Sequence, residues 1–150
     1  MRLAHTSEDM RSYSSVSGTA QSMIGSSAAW SAEPHASWQW MRQWLQLDLG
    51  SVELVSGTVV QRGIENYQYV SKYVVKHSTD GSSWIDIAGE YSSVSNGTST
   101  NLYESAQYAQ HVRLIVIEWE GHISMRADAM LCHASSAPTR APTRGAAQPL

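Results

Sequence analysis

Short segments in which apolar and polar residues alternate recur along the chain. In the segment from Trp44 to Gly50, a leucine at every second position alternates with Gln46 and Asp48. Successive side chains of a β-strand point to opposite faces, so this period of two predicts a half-buried strand whose leucines face a core. Gly50 is of a residue type that favours turns, and we expect the strand to end there.

Four further segments favour β-strands. Val52 to Val60 is rich in β-branched residues and predicts a second strand with a bulge near Gly57. Val112 to Trp119 has the strongest β-character of the chain, and Ile123 to Leu131 follows it after a break. Weaker strand character is found at residues 13–17. The chain is therefore predicted to consist largely of strands.

The segment from Val70 to Ser78 and the residues after it predict a β-hairpin. The first strand alternates, with His77 on the same face as aromatic and apolar residues. Asp80-Gly81 is a strong turn signal, and Trp84 to Ile87 is the predicted return strand. A histidine on an apolar face is usually a hydrogen-bonded core residue, and we interpret His77 in this way.

The chain has 150 residues, the size of one domain that can bury about two-thirds of its unfolded surface. No convincing amphipathic helix accompanies the strands, so the predicted class is all-β, a sandwich or a barrel. We predict a lead-in segment at residues 1–12, one domain at residues 13–132 and a disordered tail at residues 133–150. The tail repeats Ala-Pro-Thr-Arg and has almost no large apolar residue, so burial cannot offset its ordering entropy.

Composition and motif content argue against several classes of protein. With 10 basic and 13 acidic residues, the chain does not favour a nucleic-acid partner, and no apolar run approaches the roughly 18 residues of a membrane span. The first ten residues contain no apolar signal-peptide region. Cys132 is the one cysteine, and the histidines lack metal-ligand spacing. Nucleophile-elbow, phosphate-loop and zinc-protease motifs are absent, so we predict no enzymatic activity, no catalytic residues and no metal site.

Several motifs occur in the order and spacing of a known family. They are Trp-Leu-Gln-Leu-Asp-Leu-Gly at 44–50, Val55 to Gly63, Tyr69 to Val75 with Ser78 to Trp84, His111 to Leu114, and Trp119 to Cys132. Together they resemble the factor V/factor VIII type C (discoidin) domains. The resemblance runs from about Tyr13 to Cys132 and implies a jelly-roll β-sandwich of about eight antiparallel strands.

The resemblance also implies a function. Discoidin domains are mostly non-catalytic modules whose loops at one end of the sandwich bind glycans, phospholipid headgroups or partner proteins. We expect carbohydrate recognition in cell adhesion or surface targeting, with a phospholipid surface or a cell-surface protein as alternative partners. An extracellular location is expected, although a cytosolic one stays open. Some members hold a structural calcium, but Ala28 to Arg42 offers only Glu33, so we favour no cofactor.

The candidate ligand-binding residues are apolar, aromatic and basic residues in predicted loops or near strand ends. They are Met23, Ile24, Trp40, Arg42, Arg62, Tyr67, Tyr69, Trp119 and His122. Exposed tyrosine and arginine side chains are typical of recognition surfaces. Burial of Met23 and Ile24 in a membrane interface would contribute roughly 3–5 kcal/mol, too little for stable anchoring alone. Packing of each loop onto its own domain is the competing interpretation.

Three other features have structural or modification interpretations. Trp44 and Trp84 lie in strand motifs, and we expect both in the core. Arg126 and Asp128 alternate with apolar residues, and we expect them to form a structural pair on a sheet face. Asn96-Gly97-Thr98 fits the N-glycosylation sequon, which matters if the chain is secreted.

Overall fold

Residues 1–34 and 42–132 are described by the computed structural model of the chain, and nearly all of their regular structure is β-strand. The strands are β1 (Arg2–Leu3), β2 (Arg11–Tyr13), β3 (Trp30–Ser31), β4 (Trp44–Arg62), β5 (Tyr69–Ser78), β6 (Ile85–Ser92), β7 (Thr98–Glu120) and β8 (Ser124–Leu131). One 3-10 turn, Glu8–Met10, precedes β2. The predicted all-β class is confirmed, whereas the predicted disordered tail lies outside the described residues. Within them, no helix is long and apolar enough to cross a membrane.

Two long strands, β4 and β7, are shared between the two layers of the fold. Residues 44–48 of β4 pair with residues 111–115 of β7, and residues 53–61 pair with residues 98–109. The first pair joins β2, β5 and β6 in one layer, and the second pair joins β8, which carries β1 and β3, in the other. We call these the β5 layer and the β8 layer. One continuous antiparallel sheet is thus folded over at residues 48–53 into a sandwich, as the jelly-roll prediction requires.

Gly50 lies inside β4 and bends the strand instead of ending it. Its φ of +86° is in the left-handed region that favours glycine, and its N–H donates to Asp48 Oδ1 at 2.8 Å. The prediction that the strand ends there was wrong. A glycine in the left-handed region can bend a strand and change its direction as well as form a turn. The bulge predicted near Gly57 is confirmed by a register shift between Val55 and Gly57.

A polar network crosses the core between the layers. The Thr58 and Tyr73 hydroxyls lie 2.8 Å apart, and His77 Nε2 lies 2.8 Å from the Tyr103 hydroxyl. Each contact joins a β5 side chain to the β8 layer. Burial lowers the pKa of His77 to about 4, so the ring is neutral at pH 7. The interpretation of His77 as a hydrogen-bonded core residue is confirmed.

A buried ion pair fastens the N-terminal segment to β8. Arg11 Nη2 lies 3.7 Å from Asp128 Oδ1, and Thr6 donates to the same carboxylate from its backbone N–H and its hydroxyl. The predicted pairing of Arg126 with Asp128 was wrong, because residues distant in sequence enclose the carboxylate. The strand predicted at residues 13–17 lies instead at Arg11–Tyr13, where it pairs with β4, so its predicted bounds were wrong.

Two tryptophans expected in the core lie instead on the outer face of the β5 layer. Their rings stack on the two sides of one guanidinium, since Arg113 Cζ is 4.3 Å from the ring centroids of both Trp44 and Trp84. Arg113 Nε also donates to Gln46 Oε1 at 2.8 Å. The core prediction was wrong for Trp44 because strict alternation with the inward Leu45 directs its side chain outward.

Candidate ligand-binding site at the loop end

Four strand ends meet at the end of the sandwich opposite Gly50. There β4 ends at Arg62 beside Met125 of β8, and Tyr69 of β5 pairs with Glu120 of β7. We call residues 22–28, 62–69 and 119–123 the loop end. Antiparallel pairing brings these segments together although they are far apart in the sequence.

The loop between β4 and β5 has a fixed backbone. Gly63 N–H donates to the Gln68 carbonyl at 2.9 Å and closes the loop at its base. Gly121, in the turn between β7 and β8, has a φ of +68° and packs directly against the Tyr67 carbonyl, where a Cβ would clash. The loop is thus closed at its base and packs on the neighbouring turn.

The loop that carries Met23 and Ile24 is fastened to the same strand ends. Ser26 N–H donates to the Met23 carbonyl at 3.0 Å to form a turn, and both apolar side chains are half-buried. Gly25 N–H donates to Gln61 Oε1 at 2.9 Å, and Arg126 Nη1 donates to the Ser26 carbonyl at 3.0 Å. The intermediate burial of Met23 and Ile24 does not decide between an exposed apolar loop and packing onto the domain, so both interpretations stay predictions.

The aromatic candidates differ in exposure. Tyr67 is 61% exposed at the tip of its loop, and Ile64, which the sequence analysis did not single out, is 45% exposed beside it. Tyr69 and Trp119 are half-buried strand residues, and Trp119 packs against the core. A shallow depression of about 320 Å³ runs along residues 117–120.

The polar candidates are partly engaged within the protein. Arg62 Nη1 donates to the Gly63 carbonyl at 2.8 Å and to the Ile64 carbonyl, so it braces its own loop. His122 Nε2 lies 2.8 Å from the Ala32 carbonyl, which fixes this nitrogen as the donor. Arg42 is exposed, with Nη1 3.4 Å from the Ile117 carbonyl. Trp40 lies outside the described residues.

Charge at the loop end is mixed. Glu65, Glu118 and Glu120 are exposed, and Lys72 Nζ lies 3.5 Å from Glu118 Oε2. Among residues 1–34 and 42–132, His, Cys, Asp and Glu side chains form no group of three or more suited to a metal ion. The predicted lack of a calcium site involves segment 28–42, part of which lies outside those ranges, and stays a prediction.

Two residues that support the loops have no signal for this role in the sequence. Gln61 and Arg126 lie beneath the loop end and hold the loops in place, but neither lies in a recognisable motif for this role. Burial, reinforced by the nearby Arg62 charge, lowers the pKa of Arg126. Their partners are distant in sequence, so only the folded structure reveals these contacts.

The order of strands and loops agrees with a match to a family model. The model described as the F5/8 type C domain matches residues 4–128. The chain belongs to this family. It is 31% identical to mouse (Mus musculus) lactadherin over 113 residues, which cover 69% of this chain and 24% of lactadherin. It is also 31% identical to human (Homo sapiens) retinoschisin over 99 residues, which cover 60% of this chain and 44% of retinoschisin. The chain therefore spans about a quarter of lactadherin and less than half of retinoschisin.

Solved structures confirm the jelly-roll fold. A family 32 CBM from C. perfringens in complex with galactose superposes with a TM-score of 0.65 at 21% identity, covering 79% of this chain and 90% of that one. A chitosan-binding module from a Paenibacillus chitosanase/glucanase superposes with a TM-score of 0.67 at 17% identity, covering 87% and 99%. The F5/8 type C domains are binding modules, and the second structure shows that the fold also occurs within enzymes. The chain is thus a binding module of discoidin fold.

Proposed function

We propose that the chain is a non-catalytic carbohydrate-recognition module that binds glycans at its loop end. The observation that carries the proposal is Tyr67, which presents a 61% exposed ring from a loop whose backbone is fixed against Gly121. A phenol ring combines an apolar face for the C–H face of a sugar with a hydroxyl that can hydrogen-bond. Because the loop is already ordered, binding would cost little conformational entropy.

Polar groups around Tyr67 suit the hydroxyls of a sugar. Asn66 is exposed, Gln68 is half-buried, and both carry amides that donate and accept hydrogen bonds. Arg42 adds an exposed guanidinium on the neighbouring edge. The surface is shallow, so we expect weak binding of one or two sugar units that gains strength when several modules engage a glycan-coated surface. This chemistry fits a role in adhesion or surface targeting outside the cell.

The distribution of perturbed ionisable groups supports a non-catalytic role. Burial lowers the pKa of His77 and raises that of Tyr73, and both side chains are fully buried in the core between the layers. Active sites place such groups in an open cleft, where a substrate can reach them. The depression at residues 117–120 is instead lined by Ile117, Glu118, Trp119 and Glu120, and Glu118 forms an exposed ion pair with Lys72.

A phospholipid surface is the second candidate ligand. Ile64 is 45% exposed in the loop that carries Tyr67, and Met23 and Ile24 are half-buried in the loop at residues 22–28; we call these three side chains the apolar tip. Burial of one such side chain contributes about 1.5–3 kcal/mol at most, so additional attraction to anionic headgroups would be needed. The exposed Glu65 and Glu120 weaken that attraction. We therefore rank a glycan first.

The two candidates can be separated with the full chain in one set of experiments. A glycan array should show selective binding that is insensitive to moderate salt. Vesicles of phosphatidylserine and phosphatidylcholine should bind little. Vesicle binding that rises with phosphatidylserine and falls with salt, together with a blank array, would replace the carbohydrate proposal with the membrane one.

A further inference from the structure

The loop between β6 and β7 carries the one Asn-x-Ser/Thr sequence of the chain, Asn96-Gly97-Thr98. Asn96 is exposed, and Gly97 has a φ of +80° with no described atom within 4 Å of a Cβ built on it. Within residues 1–34 and 42–132, the Asn96 side chain makes no hydrogen bond. The side-chain amide therefore stands free in solvent at a sharp turn.

The base of this loop is firmly anchored even though its tip is open. Ser93 is buried, its N–H donates to the Ser71 carbonyl at 3.2 Å, and its hydroxyl donates to the Val70 carbonyl. Val94 N–H donates to Ser99 Oγ at 3.3 Å. A large group attached at the tip would thus project into solvent and displace none of these contacts.

We infer that Asn96 is an N-glycosylation site when the chain passes through a eukaryotic secretory pathway. The donor would be an oligosaccharide linked to a lipid through a diphosphate. The bond between Asn96 Nδ2 and the sugar C1 forms, the bond between C1 and the diphosphate oxygen breaks, the amide loses one proton, and the lipid diphosphate leaves. No oxidant or reductant is needed. The inference depends on an extracellular route and is independent of any ligand at the loop end.

The structure also shows where the attached glycan would stand. Gln61 Nε2 donates to Thr98 Oγ1 at 2.8 Å, and Gln61 Oε1 accepts from Gly25 N–H at 2.9 Å. One side chain thus connects the sequon to the loop that carries Met23 and Ile24. A glycan on Asn96 would rise at the rim of the loop end, beside that loop, and would hinder close approach of the apolar tip to a flat bilayer.

The test is the mass of the full chain secreted from cultured human cells behind a cleavable signal peptide. We expect one amidase-sensitive glycan that maps to the peptide containing Asn96. Asn96→Gln and Thr98→Ala should each abolish the modification, whereas Thr98→Ser should retain it. Asn96→Gln leaves Thr98 Oγ1 bonded to Gln61, so its effect is separate from any change in the contacts of Thr98.

A matched control places a second sequon at the opposite end of the sandwich. Asp80→Asn converts residues 80–82 into Asn-Gly-Ser on an exposed hairpin, and an amide oxygen can still accept from Ser82 and Ser83 N–H. We expect this variant to carry two glycans, and one after Asn96→Gln is added. Secreted native chain with an unmodified Asn96 would overturn the inference, whether or not residue 80 is modified in the control. The mass needs no ligand, so failure here is distinct from failure of the proposed carbohydrate binding.

Discussion

Arg126 Nε donates a hydrogen bond to the backbone carbonyl of Arg62 at 3.0 Å, and so links β8 to the last residue of β4. The same guanidinium reaches the Ser26 carbonyl through Nη1 at 3.0 Å. One half-buried side chain therefore holds two loops of the loop end against one strand. A planar group with several donors in fixed directions is well suited to this role.

Replacement of Arg126 should loosen the loop end. Arg126→Met keeps the apolar stem but removes both hydrogen bonds, and we expect the free energy of unfolding to fall by about 2 kcal/mol. Amide hydrogen exchange in residues 22–28 should accelerate. Arg126→Lys should recover part of the loss. Unchanged exchange in those residues in Arg126→Met would contradict the role assigned to this side chain.

The contact between Gly121 and Tyr67 predicts a position-specific glycine effect. Gly121→Ala combines an unfavourable φ of +68° with a clash against the Tyr67 carbonyl. Gly18→Ala has a φ of +76° but no described atom within 4 Å, so it carries only the conformational cost of about 1 kcal/mol. Chemical denaturation should show Gly121→Ala to be less stable than Gly18→Ala by at least about 1 kcal/mol. Equal losses of stability in the two variants would show that the loop between β4 and β5 moves away from residue 121 at no energetic cost.

The buried His77 predicts a pH dependence of stability. Its folded pKa is about 4, below the usual value of 6.5, so the unfolded chain binds the proton more readily. The contribution of His77 is complete above pH 6.5 and is lost as pH falls toward 4, by about 3 kcal/mol in total. Denaturation at several pH values should show that His77→Gln flattens this part of the profile. A slope identical to that of the unaltered protein would contradict the assignment.

Because the guanidinium of Arg113 stacks between two tryptophan rings, we expect the outer face of the β5 layer to contribute measurably to stability. Arg113→Met removes contacts with Trp44 and Trp84, and we expect a loss of about 1–2 kcal/mol in the free energy of unfolding. Lys76→Met is the matched control, because its ion pair with Asp86 is exposed and pairs of that kind contribute about 0–1 kcal/mol. If Lys76→Met lowered the free energy of unfolding as much as Arg113→Met, the contacts of Arg113 with the two tryptophans would contribute no additional stability.

The sequence predicts inward and outward faces of strands better than their ends. Alternation places Leu45 and Leu47 in the core as expected, and the same alternation, followed strictly, would have placed Trp44 outside. Gly50 could not be assigned in this way, because a left-handed glycine serves a turn and a strand bend equally well. Only its pairing with distant residues of β7 shows that β4 continues.

The candidate site was predictable as a set of loops but not as a set of contacts. The resemblance implied binding loops at one end of a sandwich, and Tyr67 was among the candidate residues. The engagement of Arg62 by its own loop carbonyls, and the support from Gln61 and Arg126, depend on folded geometry between residues far apart in sequence. Local patterns carry no information about such contacts.

The most direct test of carbohydrate binding at the loop end compares two exposed tyrosines on a glycan array. Tyr67 is 61% exposed at the loop end, and Tyr108 is 65% exposed in β7, near the fold-over of the sheet. Since both rings face solvent, neither Tyr67→Ala nor Tyr108→Ala should change thermal stability appreciably. We expect the unaltered chain and Tyr108→Ala to bind the same glycans and Tyr67→Ala to lose at least about tenfold in affinity. Equal binding by the two variants, or no glycan binding by the folded chain, would contradict the proposed function.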